Sequence, residues 1–232
     1  MRNIIFLHAF PLNSKMWKYQ IENLSKDFNV YAINYQNLNK EHLKNYAEFV
    51  YEFCQKNDIK KAVFVGISMG GYIIFQMLRY YKNLIEAIVL ANTKASADSK
   101  EAKKKRFELI KRIEKEGTEF LIDEYIVKFL KNRDKEKEKF IAQMIKEAHK
   151  DSIISMLKAL ANREDSIEIL NKIDVPTLII AGKEDELSTI EDAKIMNDNI
   201  RNSKLIIFEN CKHLSNIEYP EKFNNAIREF LK

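Results

Sequence analysis

The chain has 232 residues, 46% of them apolar, with 39 Lys and Arg against 34 Asp and Glu for a net charge of +5. That size and apolar content suit one domain with a sizeable core, and interleaved, nearly balanced charges argue against a phosphate-binding face, so no nucleic-acid partner is expected. Two cysteines make no disulfide framework and no apolar run approaches a membrane span, so no membrane partner and a cytoplasmic setting are expected. In chain order, the first apolar run reads as a strand over 3–8 and ends at His8-Ala9-Phe10-Pro11, where the chain turns. A helix is expected over 15–24, a strand over 29–34 and a helix over 41–55. Residues 61–65 form the next strand, and it meets Gly66-Ile67-Ser68-Met69-Gly70-Gly71, which holds three of the five glycines in the chain. A strand that reverses straight into a helix crowds its own backbone, so small residues are needed two places before and after the turning residue. The strand is therefore expected to break at Gly66, with Ser68 projecting from the bend and a helix over 69–81.

A strand over 87–90 follows, and then the pattern changes. From 93 to 166 there is no strand-like run and one glycine, Gly117. Four helices are expected, over 99–116, 118–130, 135–148 and 150–161, with apolar stripes at helical spacing such as Phe107, Ile110 and Ile113, and Phe120, Leu121, Tyr125 and Phe129. The basic run Lys103-Lys104-Lys105-Arg106 reads as a solvated helix face. Two more strands, over 177–181 and 204–208, lead into Gly182-Lys183-Glu184-Asp185 and into Cys211-Lys212-His213. Helices over 189–198 and 221–231 complete the chain, the last opened by Pro220. Apolar strands alternating with helical patterns argue for a parallel sheet covered by helices on both faces.

A serine hydroxyl is a poor nucleophile until a neighbouring base takes its proton. Beyond Ser68, one loop after a strand carries Asp185 and another carries His213, so the expected assignment is Ser68 as nucleophile, His213 as base and Asp185 as acid. Glu184 and Glu186 flank Asp185, which its place three residues after the strand-ending glycine favours. Of the four histidines, His42 and His149 lie in polar helical stretches, and His8 is expected to brace the loop after the first strand. The amides of Met69, at a helix N-terminus, and of Phe10 are the natural donors to an oxyanion. No His, Cys and acid cluster has metal-ligand spacing and no glycine-rich phosphate loop is present, so neither metal nor cofactor is expected.

The run from His8 through Phe10 to Trp17, the serine elbow, Gly182 with Asp185, and His213 together resemble the α/β-hydrolase superfamily, and within it the small carboxylesterase and enol-lactonase-like members. The likeness covers nearly the whole chain. It implies an α/β-hydrolase fold: a mostly parallel six-stranded sheet flanked by helices, with a core of residues 1–93 and 167–232 and an inserted helical cap over 94–166. It also implies acyl transfer to water from a small-molecule ester or lactone, held against Phe10, Met69, Tyr125 and Leu187. Two departures stand out. Ala9 replaces the family's usual glycine, and the chain starts at the strand carrying the oxyanion loop, so the antiparallel hairpin that opens many members is expected to be missing. The same triad in related proteins cleaves carbon-carbon bonds or passes the acyl group to peroxide, and an intact pocket without catalysis would be a ligand receptor. Branches with an aspartate nucleophile are disfavoured by Ser68. Oligomeric state is not legible.

Overall fold

The computed structural model describes residues 1–232. Six strands, β1 (Asn3–Leu7), β2 (Asn29–Ile33), β3 (Ala62–Ile67), β4 (Ile85–Ala91), β5 (Thr177–Gly182) and β6 (Ser203–Phe208), form one sheet in the order β2-β1-β3-β4-β5-β6. All five pairings are parallel. Parallel strands need crossovers, and the apolar runs of β3 and β5 are buried at every position, which only a sheet covered on both faces allows. Helix α2 (Leu43–Lys56) packs on α3 (Met69–Tyr80), which lies over β1, β3 and β4. Helix α1 (Lys18–Leu24) packs on β2 and on the last helix of the chain, Pro220–Phe230. The order of strands reverses between β1 and β3. In open parallel sheets that reversal leaves a crevice at the C-terminal strand ends, and the loops carrying Phe10 and Ser68 flank it.

Between β4 and β5 the chain makes four long helices, α4 (Lys100–Glu116), α5 (Phe120–Phe129), α6 (Lys135–Lys146) and α7 (Lys150–Ala161), and one short one before β5, with α4 against α7 and α5 against α6. Gly117 ends α4 at φ 82°, a conformation that glycine adopts without steric cost. The rest is α8 (Ile167–Leu170), α9 (Ile190–Asn199) along β5 and β6, α10 (Ser215–Glu218) and α11 (Pro220–Phe230). No helix is long and apolar enough to cross a membrane. Both cysteines, Cys54 and Cys211, are free and buried.

Several boundaries differ from the sequence expectation, each for a local reason. Strand β3 does not break at Gly66: that residue pairs with Leu7 and Leu90, and the strand runs on to Ile67. Glycine is needed there because α3 folds back over it, and a Cβ would lie 2.4 Å from the carbonyl carbon of Gly70. Strand β4 begins two residues earlier than expected because a register shift at Ala62 and Val63 admits Ile85 to the ladder. The first helix opens as a tight 3-10 turn over Ser14–Trp17, capped by the Asn13 side chain accepting from the Lys15 N–H at 3.0 Å. Helices α8 and α10 have four residues each, too few for any periodic signal.

Candidate active site

Ser68 sits between β3 and α3 at φ 54° and ψ −113°, a region that non-glycine residues rarely occupy. Such strain persists only where the surroundings over-determine it. Here the Ser68 N–H lies 3.2 and 3.1 Å from the carbonyls of Ala91 and Asn92, and its own carbonyl accepts from the Thr93 hydroxyl and the Gly71 N–H, both at 2.9 Å. Two glycines let α3 start so close to the sheet. A Cβ on Gly70 would lie 2.1 Å from the Leu7 carbonyl oxygen, and one on Gly71 would lie 2.4 Å from the Thr93 hydroxyl.

The loop after β5 places Asp185 against His213 from the loop after β6. The ring Nδ1 lies 2.8 Å from Asp185 Oδ2 and 3.0 Å from Oδ1. The carboxylate also accepts from the Leu187 N–H at 2.9 Å, the Ser188 N–H at 3.3 Å, the Ser188 hydroxyl at 2.7 Å and the Asn92 carboxamide at 3.1 Å. Burial works against charge on Asp185, but the adjacent imidazole and the bonds from His213, Ser188 and Asn92 outweigh it and hold the carboxyl down at about 2. Facing an ionised carboxylate, Nδ1 is the ring nitrogen that donates, and Nε2 is the one turned away from Asp185. The neighbouring acids do other work: Glu184 accepts from the Cys211 N–H at 2.8 Å, and Glu186 is exposed. A Cβ on Gly182 would lie 2.2 Å from the Lys212 carbonyl oxygen, so glycine lets the two loops meet. Phe129 of α5 stacks on the imidazole with centroids 5.7 Å apart.

After β1, His8 faces inward. Its Nδ1 donates to the Ala9 carbonyl at 3.1 Å, its Nε2 accepts from the Tyr35 N–H at 3.2 Å, and the Tyr35 hydroxyl donates to the His8 carbonyl. Complete burial drives its pKa down to about 3 against the bond to Ala9, so it is neutral and braces the loop. Ala9 is fully buried, its N–H directed at the Met16 sulfur 3.2 Å away and its carbonyl accepting from the Leu12 N–H at 2.9 Å. Among the turn, loop and cap bonds of the backbone, neither the Phe10 nor the Met69 N–H donates to anything.

Ser68 and His213 line one cavity of about 90 Å³, without a hydrogen bond between the serine hydroxyl and the ring. Phe10, Tyr125 and Leu187 share its wall, and the Phe10 and Tyr125 rings meet edge to face at 5.7 Å. Met69 does not: its side chain is fully buried in the core, so any contact from it to a ligand is through its amide. Tyr72, Lys94, Phe129, Leu160 and Arg106 also line the cavity. Arg106 corrects the reading of its basic run as wholly solvated. Its Nε donates to Asp98, whose other carboxylate oxygen lies 2.5 Å from Arg163 Nη1. The signal was present in the pattern: Arg106 shares the i, i+4, i+7 face of α4 with buried Ile110 and Ile113, whereas Phe107, one residue off that face, is 44% exposed. Asn92 was also not singled out.

A parallel sheet with an inserted helical segment, a strained serine between strand and helix, and a buried carboxylate-imidazole pair together define a class of hydrolase architecture. A family profile described as alpha/beta hydrolase fold matches residues 2–150, and the chain belongs to that family. It is 29% identical to 3-oxoadipate enol-lactonase 1 of Acinetobacter baylyi, across 99% of this chain and 88% of that protein. It is 28% identical to AB hydrolase superfamily protein YisY of Bacillus subtilis, across 99% and 91%. Among solved structures, a thermophilic esterase from Thermogutta terrifontis superposes with a TM-score of 0.92 at 29% identity, covering 100% of this chain and 89% of the other. The enol-lactonase of Burkholderia xenovorans LB400 shares the fold, with a TM-score of 0.89 at 22% identity over 99% and 91%.

Proposed function

We propose that this chain is a serine hydrolase that cleaves a small carboxylic ester or lactone through an acyl-enzyme. The observation that carries the reading is the buried Asp185–His213 pair opening onto the cavity that Ser68 lines. In this mechanism, Nε2 of His213 takes the Ser68 proton as the oxygen attacks the substrate carbonyl. The Phe10 and Met69 amides receive the negative charge that develops on the carbonyl oxygen, the latter aided by the α3 dipole. His213 then returns the proton to the leaving alcohol and activates the water that hydrolyses the acyl-enzyme, while ionised Asp185 steadies the imidazolium.

Residues 94–166 act as a cap over this site, a reading supported by the pocket residues Arg106, Tyr125, Phe129 and Leu160, all from α4, α5 and α7. A cavity of about 90 Å³ suits a short acyl group, since one that takes benzene has ~150 Å³. Two cations, Lys94 and Arg106, and no carboxylate side chain line it, which favours a substrate bearing a negative charge. The two free, buried thiols fit a reducing, cytoplasmic setting.

Ser68→Ala tests the assignment. Hydrolysis of short p-nitrophenyl esters is expected to fall by about 10⁴-fold or more with an unchanged circular dichroism spectrum. Retained turnover would refute it, and failure of a fluorophosphonate to label Ser68 in the native chain would point to a binding role. Products other than acid and alcohol would move the chemistry to carbon-carbon cleavage or acyl transfer to peroxide.

A further inference from the structure

Asn92, the residue that follows β4, is 1% exposed and bonds to Asp185, to both sides of His213 and to the Ser68 backbone. We infer that Asn92 is a positioning residue: it locks Asp185, the His213 loop and the Ser68 backbone into one mutual geometry. The inference rests on the hydrolase reading above. The Nδ2 of Asn92 donates to Asp185 Oδ2 at 3.1 Å and to the carbonyl of Lys212, the residue before His213, at 3.0 Å. Its Oδ1 accepts from the Ser215 hydroxyl at 2.5 Å, two residues beyond His213. With two acceptors on one side and a hydroxyl on the other, the orientation of the carboxamide is decided by its partners. Its backbone is equally committed, the N–H donating to the Ile180 carbonyl at 2.8 Å and the carbonyl accepting from the Ser68 N–H at 3.1 Å.

The backbone of Asn92 has φ 44°, one of five non-glycine residues at positive φ; Ser68 is another. Asparagine is among the few side chains that tolerate this region, and the strain is the cost of aiming the carboxamide back across the strand ends. Oδ2 of Asp185 is the oxygen nearer to His213 Nδ1, at 2.8 Å, and it also accepts from the Ser188 hydroxyl at 2.7 Å, so the same atom is held by three donors. Without the amide, the carboxylate loses a donor that fixes its rotation, and the Lys212 carbonyl loses the partner that fixes the approach of the His213 loop. Of the groups its carboxamide meets, Asp185 alone ionises, with His213 one bond further; Ser215 is neutral.

Two variants separate positioning from mere packing. Asn92→Gly keeps the positive-φ backbone free of strain and deletes the side chain; kcat is expected to fall about ten- to hundredfold with KM within about twofold, matching the loss of a hydrogen bond to a charged group. Asn92→Asp keeps the shape and the acceptor for Ser215 but sets a second carboxyl where the carboxamide stood, 3.1 Å from Asp185, and two carboxyls that close share one proton. Its single O–H cannot serve both Asp185 and the Lys212 carbonyl, so the NMR signal of the His213 Nδ1 proton, which reports the bond to Asp185, is expected to move from its native position. An unchanged kcat in Asn92→Gly, or an unmoved Nδ1 proton signal in Asn92→Asp, overturns the inference. Fluorophosphonate labelling of the native chain is measured alongside: its failure sinks the hydrolase reading, whereas the Nδ1 proton signal reports on Asn92 with no substrate at all.

Discussion

Arg106 shows how a single side chain can change the character of a pocket. It reaches the cavity from α4 while its Nε is held by Asp98, so its charge is oriented by a partner and cannot simply retreat to solvent. Arg106→Gln is expected to leave hydrolysis of a neutral acetate ester within about threefold and to lower kcat/KM for the matching carboxylate-bearing ester by about tenfold or more, the scale of one charge-assisted hydrogen bond. Equal losses on both esters would mean that the guanidinium supports the cap and does not select the substrate. At this scale Ser68, Asp185 and His213 were legible because each is announced locally, by glycines that crowding demands or by the end of an apolar strand. Arg106 and Asn92 were not, because their partners arrive from other elements: Arg163 lies far along the chain from Asp98, and Lys212 and Ser215 far from Asn92.

Among the elements, α5 is less a movable flap than an extension of the loop that carries His213. Buried Glu218 of α10 accepts from the Lys212 N–H at 2.6 Å and, with its other oxygen, from the Lys131 and Asn132 N–H groups at 2.7 and 3.2 Å. The Leu214 N–H donates to the Phe129 carbonyl at 3.2 Å, and Lys212 Nζ to the Val127 carbonyl at 2.8 Å. The end of α5 is thus stitched to both sides of His213. Helix α6 is tied at the other rim, where Glu147 accepts from Asn13 at 2.7 Å and Gln36 donates to the Met144 carbonyl at 2.7 Å. Glu218→Ala frees three N–H groups, and those of exposed Lys131 and Asn132 turn to water once the carboxylate is gone. Hydrogen exchange at residues 131, 132 and 212 is expected to speed up together, with slower turnover; exchange confined to residue 212 would show that α5 holds its place without the carboxylate. None of this stitching has a periodic signature. The four long insert helices were readable from their stripes, whereas the short α10 that carries Glu218 was invisible.

For the molecule as a whole, His8 makes stability depend on pH. Its folded-state value is about 3, well below the 6.5 of an unfolded chain, so between those limits the unfolded state binds a proton that the folded state refuses. Stability therefore falls as pH drops through 6.5, by up to about 4 kcal/mol near pH 3. Asp185 acts lower: its contribution is whole above about pH 4, the ordinary carboxylate range, and is lost as pH falls toward about 2. Urea midpoints measured from pH 8 to pH 4 are expected to decline for the native chain and to decline much less for His8→Gln, which has no ring at this buried position; parallel slopes would place the acid sensitivity elsewhere.

The pairing of Asp98 with Arg163 carries one more consequence. These two residues stand where the helical insert leaves the sheet and where it returns, and their side chains are each only 2% exposed. Arg163 adds two bonds to the Ser96 carbonyl, at 3.2 and 3.0 Å. The insert is thereby buckled shut at its root, like a purse drawn closed at the neck. What lies above the clasp is fastened at its base independently of the threads that α5 runs to His213, so a change among those helices reaches the site through the threads and not through a shift of the strands.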